Sequence, residues 1–378
     1  MNVNGISTRT IWPASDDAAV EIIDQTRLPH EFVTVRLENM RDAEHAIRSM
    51  QVRGAPLIGV TAAYGVALSM KHHASDAALQ ATCDMLVKAR PTAVNLRWAV
   101  EHMREFLSPL TAGQRSEAAW IEAARMADQD VAINCAIGQC GLAIIRAIHE
   151  EKLAQGRSGI VNILTHCNAG WLATVDWGTA LAPVYAAQAA GIPVHVWVDE
   201  TRPRNQGASL TAWELAQQSV PHTVIVDNAG GHLMQHGQVD VAIVGTDRVT
   251  ATGDVCNKIG TYLKALAAFD NGVPFYVAMP VSTLDWTLQD GVKEIPIEER
   301  GEDEVTHLSG LCDDGQIRRV QLTPTGSPAA NYGFDVTPAR LVTGLFTERG
   351  LVAANADAIR TLYDSPRPQA GEGLVERV

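Results

Sequence analysis

Five short, continuous apolar runs punctuate the second half of the chain, and each stops at a cluster of polar residues. Residues 160–164 stop at Thr165-His166-Cys167-Asn168, and 193–198 at Asp199-Glu200-Thr201-Arg202. Residues 223–226 stop at Asp227-Asn228, 239–244 at Gly245-Thr246-Asp247-Arg248, and 274–278 at Met279-Pro280-Val281-Ser282-Thr283. Helical patterns separate most of them. Short apolar runs alternating with helices predict a parallel sheet covered on both faces. In such sheets ligands bind beyond the carboxyl ends of the strands. The polar clusters then gather along one rim, and Cys167 and Asp247 become neighbours although 80 positions separate them. For 160–190 the pattern predicts strand, tight loop, then a helix starting after Ala169-Gly170.

The first third reads differently. Residues 21–37 predict two strands around Leu28-Pro29. Helices follow over 40–50, from Gly54 to Met70, over 76–89, from the Arg90-Pro91 break to Leu107, and as long helices over 117–149. The fold class is therefore α/β: a mostly helical N-terminal domain with a small sheet, 1–128, and a Rossmann-like parallel-sheet domain, 129–378. The division falls inside a connecting helix. A polar link over 151–158 leads into the first strand of the second domain, and residues 366–378 are expected to fray.

A net charge of −13 argues against nonspecific binding to nucleic acid or an anionic membrane. The start lacks the basic-then-apolar pattern of a signal peptide, and no apolar run reaches the ~18 residues that span a bilayer. Six cysteines without a regular framework fit a cytoplasmic protein with free thiols. The glycine fingerprint of dinucleotide enzymes, the P-loop, H-E-x-x-H, C-x-x-C and the hydrolase elbow G-x-S-x-G are all missing. The expectation is no metal and no cofactor.

Several residues are candidates for chemistry, each with a bland alternative. Cys167 at a strand end is either packing or a thiol activated by the helix after it. Asp247 is either a helix N-cap or a carboxyl kept protonated in a dry pocket as a general acid. Arg53 stands before Gly54-Ala55-Pro56, where free N–H groups at a helix start make an anion site. Arg90 precedes a second proline-marked helix start. By default both are surface arginines. Asn257-Lys258, ahead of an apolar helix, offers a phosphate ligand or a solvated lysine. Gln206 sits in a polar loop and can bond sugar hydroxyls.

These motifs run in order: Arg53-Gly54-Ala55-Pro56, Arg90-Pro91-Thr92-Ala93-Val94-Asn95-Leu96, Thr165-His166-Cys167-Asn168-Ala169-Gly170, and Asp199-Glu200-Thr201-Arg202-Pro203. Gln206-Gly207, Gly245-Thr246-Asp247-Arg248, Asn257-Lys258-Ile259-Gly260-Thr261-Tyr262, Glu304-Val305-Thr306-His307 and Phe334-Asp335-Val336-Thr337-Pro338 complete the series. The series resembles the methylthioribose-1-phosphate isomerase family of methionine salvage, over nearly the whole chain. The wider family also holds ribose-1,5-bisphosphate isomerases and regulatory subunits of a translation-initiation exchange factor. The resemblance implies a homodimeric aldose–ketose isomerase of a small sugar phosphate, working without metal or nucleotide. It implies Cys167 and Asp247 as catalytic residues, and Arg53, Gly54, Ala55, Arg90, Gln206, Asn257 and Lys258 as substrate-binding ones. Isomerisation of 5-deoxyribose 1-phosphate or ribose 1,5-bisphosphate, and a non-catalytic regulatory role, are the alternatives. Trp171, Asp176 and Trp177 are larger or more charged than the small residues usual after the Cys167 loop, and are expected near the pocket.

Overall fold

The structure, a computed structural model, describes residues 1–16, 18–91 and 93–364. The predicted fraying over 366–378 lies outside the described residues. Near the N-terminus, strands Ile11–Pro13, Val20–Ile23 and Thr34–Leu37 form an antiparallel sheet. The first of the three carried no sequence signal. Helix α1 (Met40–Arg48) opens on a capping box in which Asn39 and Asp42 satisfy each other's backbone N–H groups. Helix α2 (Ala55–His72) is apolar on all sides, as a helix must be when neighbours surround it. It packs on α1, α3 (Asp76–Ala89), α4 (Val94–Leu107) and α5 (Ala112–Ala154).

Helix α5 differs from expectation twice. It is one helix of 43 residues rather than several, and it runs through Glu151–Ala154, the start of the predicted polar link. It is also long and apolar enough to cross a bilayer by length and composition. It packs on α2 at one end and on α6 (Ala182–Ala189) and strand Gly344–Thr347 at the other, yet only 28% of its most apolar 18-residue window is buried within the chain.

Seven strands form the main sheet, in the order Gly350–Val352, Gly344–Thr347, Phe275–Ala278, Val241–Val244, Val161–Thr165, Val194–Asp199, His222–Ile225. All neighbours are parallel except the pair Gly344–Thr347 and Gly350–Val352. The five predicted strands occupy five consecutive places. Alternate side chains reach opposite faces, so Val241 and Ile243 join one core, while Ala242 and Val244 join the other. That division is why these strands read as unbroken apolar runs. Helix α7 (Ala212–Gln217) contributes Leu215 to the first core. On the other face lie α8 (Ala229–Gln235) and α9 (Thr261–Asp270). The chain starts the sheet at Val161–Thr165, builds outward on one side, then returns to pair Val241–Val244 on the other side. The carboxyl ends of these two strands therefore flank the topological switch point.

A second sheet lay outside the sequence reading. Arg248–Thr250 and Val255–Lys258 pair antiparallel, flanked by Leu284–Asp285 and Phe334–Thr337. A separate hairpin joins His307–Leu311 to Ile317–Gln321.

Asp130, midway along α5, accepts the Val175 N–H at 2.8 Å. Burial pushes its carboxyl up to about 7 from 3.8, despite that hydrogen bond. A carboxyl raised on folding contributes stability that is complete below about pH 4 and is lost as pH rises through about 7. Asp130→Asn keeps an acceptor for Val175 and removes the titration. Its thermal stability should vary less between pH 5 and 8.5 than wild type, and exceed wild type at the upper end by up to about 4 kcal/mol. Parallel pH profiles of the two melting temperatures would contradict this origin.

Candidate active site at the switch point

Cys167 follows strand Val161–Thr165 and Asp247 follows strand Val241–Val244. The two strands are hydrogen-bonded neighbours in register Ile163↔Val241, and the Thr165 hydroxyl donates to the Ile243 carbonyl at 2.8 Å. The tertiary fold thus brings both polar clusters to the carboxyl ends of adjacent strands.

No helix starts behind Cys167. A short 3-10 turn (Trp171–Ala173) follows, and α6 begins only at Ala182. The predicted activation of the thiol by a following helix dipole is therefore not available. Cys167 instead sits at φ 65°, in the left-handed region that costs a non-glycine residue about 1–3 kcal/mol. Two threonines hold it there. Its N–H donates to Thr201 Oγ1 at 2.8 Å, and its carbonyl accepts from Thr211 Oγ1 at 2.8 Å. The thiol is directed at Gln206 Oε1, 3.4 Å away.

Arg53, in the turn before α2, is buried against the same loop. Its guanidinium donates to Asn168 Oδ1 and, at 2.6 Å, to the Asn168 carbonyl. Burial lowers its pKa, while Cys167, Asp247 and Glu214 pull it up. Gly54 is the N-cap of α2 and offers no side-chain cap, which leaves N–H groups of the first turn open, as predicted. It stands at φ 91°, and a Cβ there would lie 2.4 Å from the Ala173 carbonyl oxygen, so only glycine fits.

Asp247 is not a helix N-cap. Its N–H donates to the Cys256 carbonyl at 3.0 Å, extending the antiparallel pair that ends in Asn257-Lys258. Asn257 is buried and donates to Thr261 at 3.0 Å. Lys258 donates to the Gly333 carbonyl at 2.9 Å and lies 4.4 Å from the Phe334 ring centre. Burial lowers the Lys258 pKa, while Cys167 and Asp247 raise it. Two cations, buried Arg53 and half-buried Lys258, thus answer to the same two acidic side chains. The start of α9 behind Lys258 is already satisfied: Asp335 accepts from the N–H groups of Gly260 and Tyr262 at 2.7 and 3.1 Å.

The predicted binding residues divide between two spaces. Arg53 and Gln206 line a cleft of about 450 Å³. Ala55, Arg90 and Asp247 line a cavity of about 30 Å³ beside Cys256 and Phe334. Gly54, Cys167, Asn257 and Lys258 line neither space. Arg90 is held 3.6 Å from Glu298, and α4 begins at Val94, three residues past Pro91, so no proline-started helix stands beside it. Trp171 and Trp177 line neither space; Trp171 is buried against Trp213 with ring centres 6.1 Å apart.

His166, Asp199 and Asp227 converge closely enough to suggest a metal centre. Apart from Asp199 Oδ1, which is buried without a partner, their ligand atoms are engaged within the protein. His166 Nδ1 faces Asp199 and Nε2 faces the Ile259 carbonyl, each at 2.8 Å. The Lys264 ammonium lies 3.1 Å from Asp199 and donates to the Asp227 carbonyl. Asp227's carboxylate accepts from Thr201 and Arg202 N–H at 2.7 and 2.8 Å. An ammonium already holds the cationic position, so the set braces the rim rather than fitting a metal ion. Sequence reasoning missed this brace, and also Glu214; the one signal for Glu214 was an acid inside the apolar stretch Trp213-Glu214-Leu215.

Thr201→Val would leave the Cys167 N–H buried and unpaired, which costs about 1–3 kcal/mol. Urea unfolding should read that loss; a change below about 0.5 kcal/mol would mean the left-handed cysteine does not depend on this hydroxyl.

Comparison with known proteins agrees with the geometry. Residues 51–354 match the Initiation factor 2 subunit family. A protein of Rhodospirillum rubrum named methylthioribose-1-phosphate isomerase is 65% identical over 369 residues, covering 97% of this chain and 95% of its own. A protein of the same name from Paramagnetospirillum magneticum is 63% identical, covering 96% and 99%. The crystal structure of 5-methylthioribose 1-phosphate isomerase from Pyrococcus horikoshii superposes with TM-score 0.80 at 36% identity, covering 94% of this chain and 96% of its own. The translation initiation factor eIF-2B subunit delta from A. fulgidus superposes at TM-score 0.76 and 35% identity, covering 94% and 99%. Matched across most of its length, this chain belongs to the Initiation factor 2 subunit family.

Proposed function

We infer that this chain is an aldose–ketose isomerase, converting 5-methylthioribose 1-phosphate to 5-methylthioribulose 1-phosphate in methionine salvage. Relatives of that name are similar over nearly the full length. The observation that carries the mechanistic reading is the shared rim: a thiol and a carboxyl leave adjacent strands at the switch point, and two cations, Arg53 and Lys258, respond to both.

The chemistry asks for such a pair. A sugar 1-phosphate is a locked acetal and cannot open to a free aldehyde. In our reading Asp247 gives a proton to the ring oxygen as the C1–ring-oxygen bond breaks. Cys167 then takes the C2 proton and returns it to C1, while the 2-hydroxyl proton goes back to Asp247 and C2 becomes the ketone. In the alternative route hydride moves from C2 to C1 and Cys167 only shapes the site; the proton balance at Asp247 is the same. Arg53, the open first turn at Gly54-Ala55, Arg90, Asn257 and Lys258 are the proposed anchors for the phosphate and the charge that develops, and Gln206 for a sugar hydroxyl. A ligand that touches both Gln206 and Asp247 must join the cleft and the small cavity, and closing that space excludes water from a reactive open-chain intermediate.

The cleft favours a thioether over a second phosphate. Arg27, Arg204 and Arg319 on its wall are each already paired, with Glu31, Glu304 and Asp303. Leu28, Pro29, Met50 and Leu210 supply apolar surface between them. We further propose a cytoplasmic homodimer divided into domains near residue 128; the small residues Ala132, Ala143 and Ala147, exposed along α5, suit contact with a second copy.

Product analysis by NMR with 5-methylthioribose 1-phosphate tests the reaction, and no ketose product would end the reading. Run in heavy water, deuterium at C1 of the ketose supports proton transfer by Cys167, and its complete absence supports the hydride route. Asp247→Asn should still bind substrate but lose turnover by about 10²–10⁴-fold. Turnover near wild type would remove Asp247 from the acid role.

A further inference from the structure

Behind the Cys167 loop lies a buried acid that faces neither space. Glu214, on α7, is fully buried. Its Oε1 accepts from Asn168 Nδ2 at 3.2 Å, and its Oε2 accepts the backbone N–H of Leu172 at 3.1 Å. Asn168 Nδ2 also donates to Thr211 Oγ1 at 3.1 Å. With both amide protons committed on that side, Asn168 turns Oδ1 the other way, toward the Arg53 guanidinium. The backbone has been shaped around this acid: a Cβ on Gly170 would lie 1.3 Å from Glu214 Oε1. Burial pushes the Glu214 carboxyl up to about 8, against the Leu172 N–H and the charge of Arg53. The titratable groups that face it are Arg53, from the turn before α2, and Tyr185 on α6.

We propose that Glu214 is a positioning residue for Arg53: it fixes the orientation of the Asn168 amide, and the amide holds the guanidinium in the pose that receives substrate. The proposal rests on the isomerase reading for its kinetic arm. The logic is one of donors and acceptors. Two N–H groups converge on Glu214, and the carboxylate, the form present above about pH 8, accepts from both. Glutamine at 214 accepts once. With its oxygen kept on Leu172, its amide N–H₂ meets the Asn168 N–H₂, and Asn168 must flip. A flipped Asn168 presents hydrogens to Arg53, donor against donor.

Glu214→Gln should therefore fold, melting within a few degrees of wild type, yet raise KM measured at pH 9, where the wild-type carboxyl is ionised, about tenfold, the effect of one lost charged hydrogen bond. Its pH profile should also lose any inflection near 8 that wild type shows. Adding Asn168→Asp restores an acceptor on both sides, and the double variant should recover part of the lost KM. A Glu214→Gln variant with KM and kcat within about twofold of wild type overturns the proposal, as does a loss that Asn168→Asp fails to relieve. Phenylglyoxal labelling of Arg53, read by peptide mass spectrometry, needs no turnover. Faster labelling in Glu214→Gln supports the proposal and unchanged labelling opposes it. If wild type gives no ketose, the functional reading fails while the labelling still tests the positioning of Arg53.

Discussion

The parallel pairing of Val161–Thr165 with Val241–Val244 is the constraint on which everything else in this molecule depends. Both strands are buried on two faces, so their register is fixed by core packing and cannot slip without turning both cores inside out. That fixed register delivers Cys167 and the Asp247 turn to the carboxyl ends of adjacent strands, which flank the switch-point crevice. Neither residue needs to recognise the other. Their proximity follows from where a doubly wound chain reverses direction.

Around that crevice the protein spends hydrogen bonds on shape. Cys167 is kept in a left-handed backbone by Thr201 and Thr211, and those threonines are fixed in turn by the Asp199 carbonyl and Asn168. Asp227 secures the Thr201-Arg202 turn. Glu304 gathers the far wall: burial pushes its carboxyl up, but Arg300, Arg204 and Asn331 hold it down at about 2. These contacts let a loop rather than a rigid strand carry Cys167, with few degrees of freedom left to it.

Charge is arranged with the same economy. The net charge is −13, yet the groups nearest the crevice include two cations, buried Arg53 and half-buried Lys258. Overall charge discourages nonspecific polyanions, while a local positive field remains for one small anion. The His166–Asp199–Asp227 set has the spacing of a metal site but is completed by Lys264, so it strengthens the rim instead. Residue types alone do not separate these two uses; the position of one ammonium does.

Much of this was legible in the sequence for a plain reason. Strands buried on two faces are largely apolar, so five of them showed as apolar runs ending in polar clusters, and Pro56 and the periodic helices marked their own starts. The ordered motifs carried the family resemblance as well. What failed were inferences that needed distant partners. The helix expected after Cys167 is a 3-10 turn because Trp171 and Leu172 are drawn into the core beside Glu214. The second sheet was invisible because Val255–Lys258 finds its partner about 80 residues later, in Phe334–Thr337. Local sequence thus determined the α/β alternation, the strand ends and the residues with chemical capacity. Only the tertiary structure decided which of them meet, because proximity across a sheet depends on strand order, and strand order is set by the packing of both cores together rather than by any one segment.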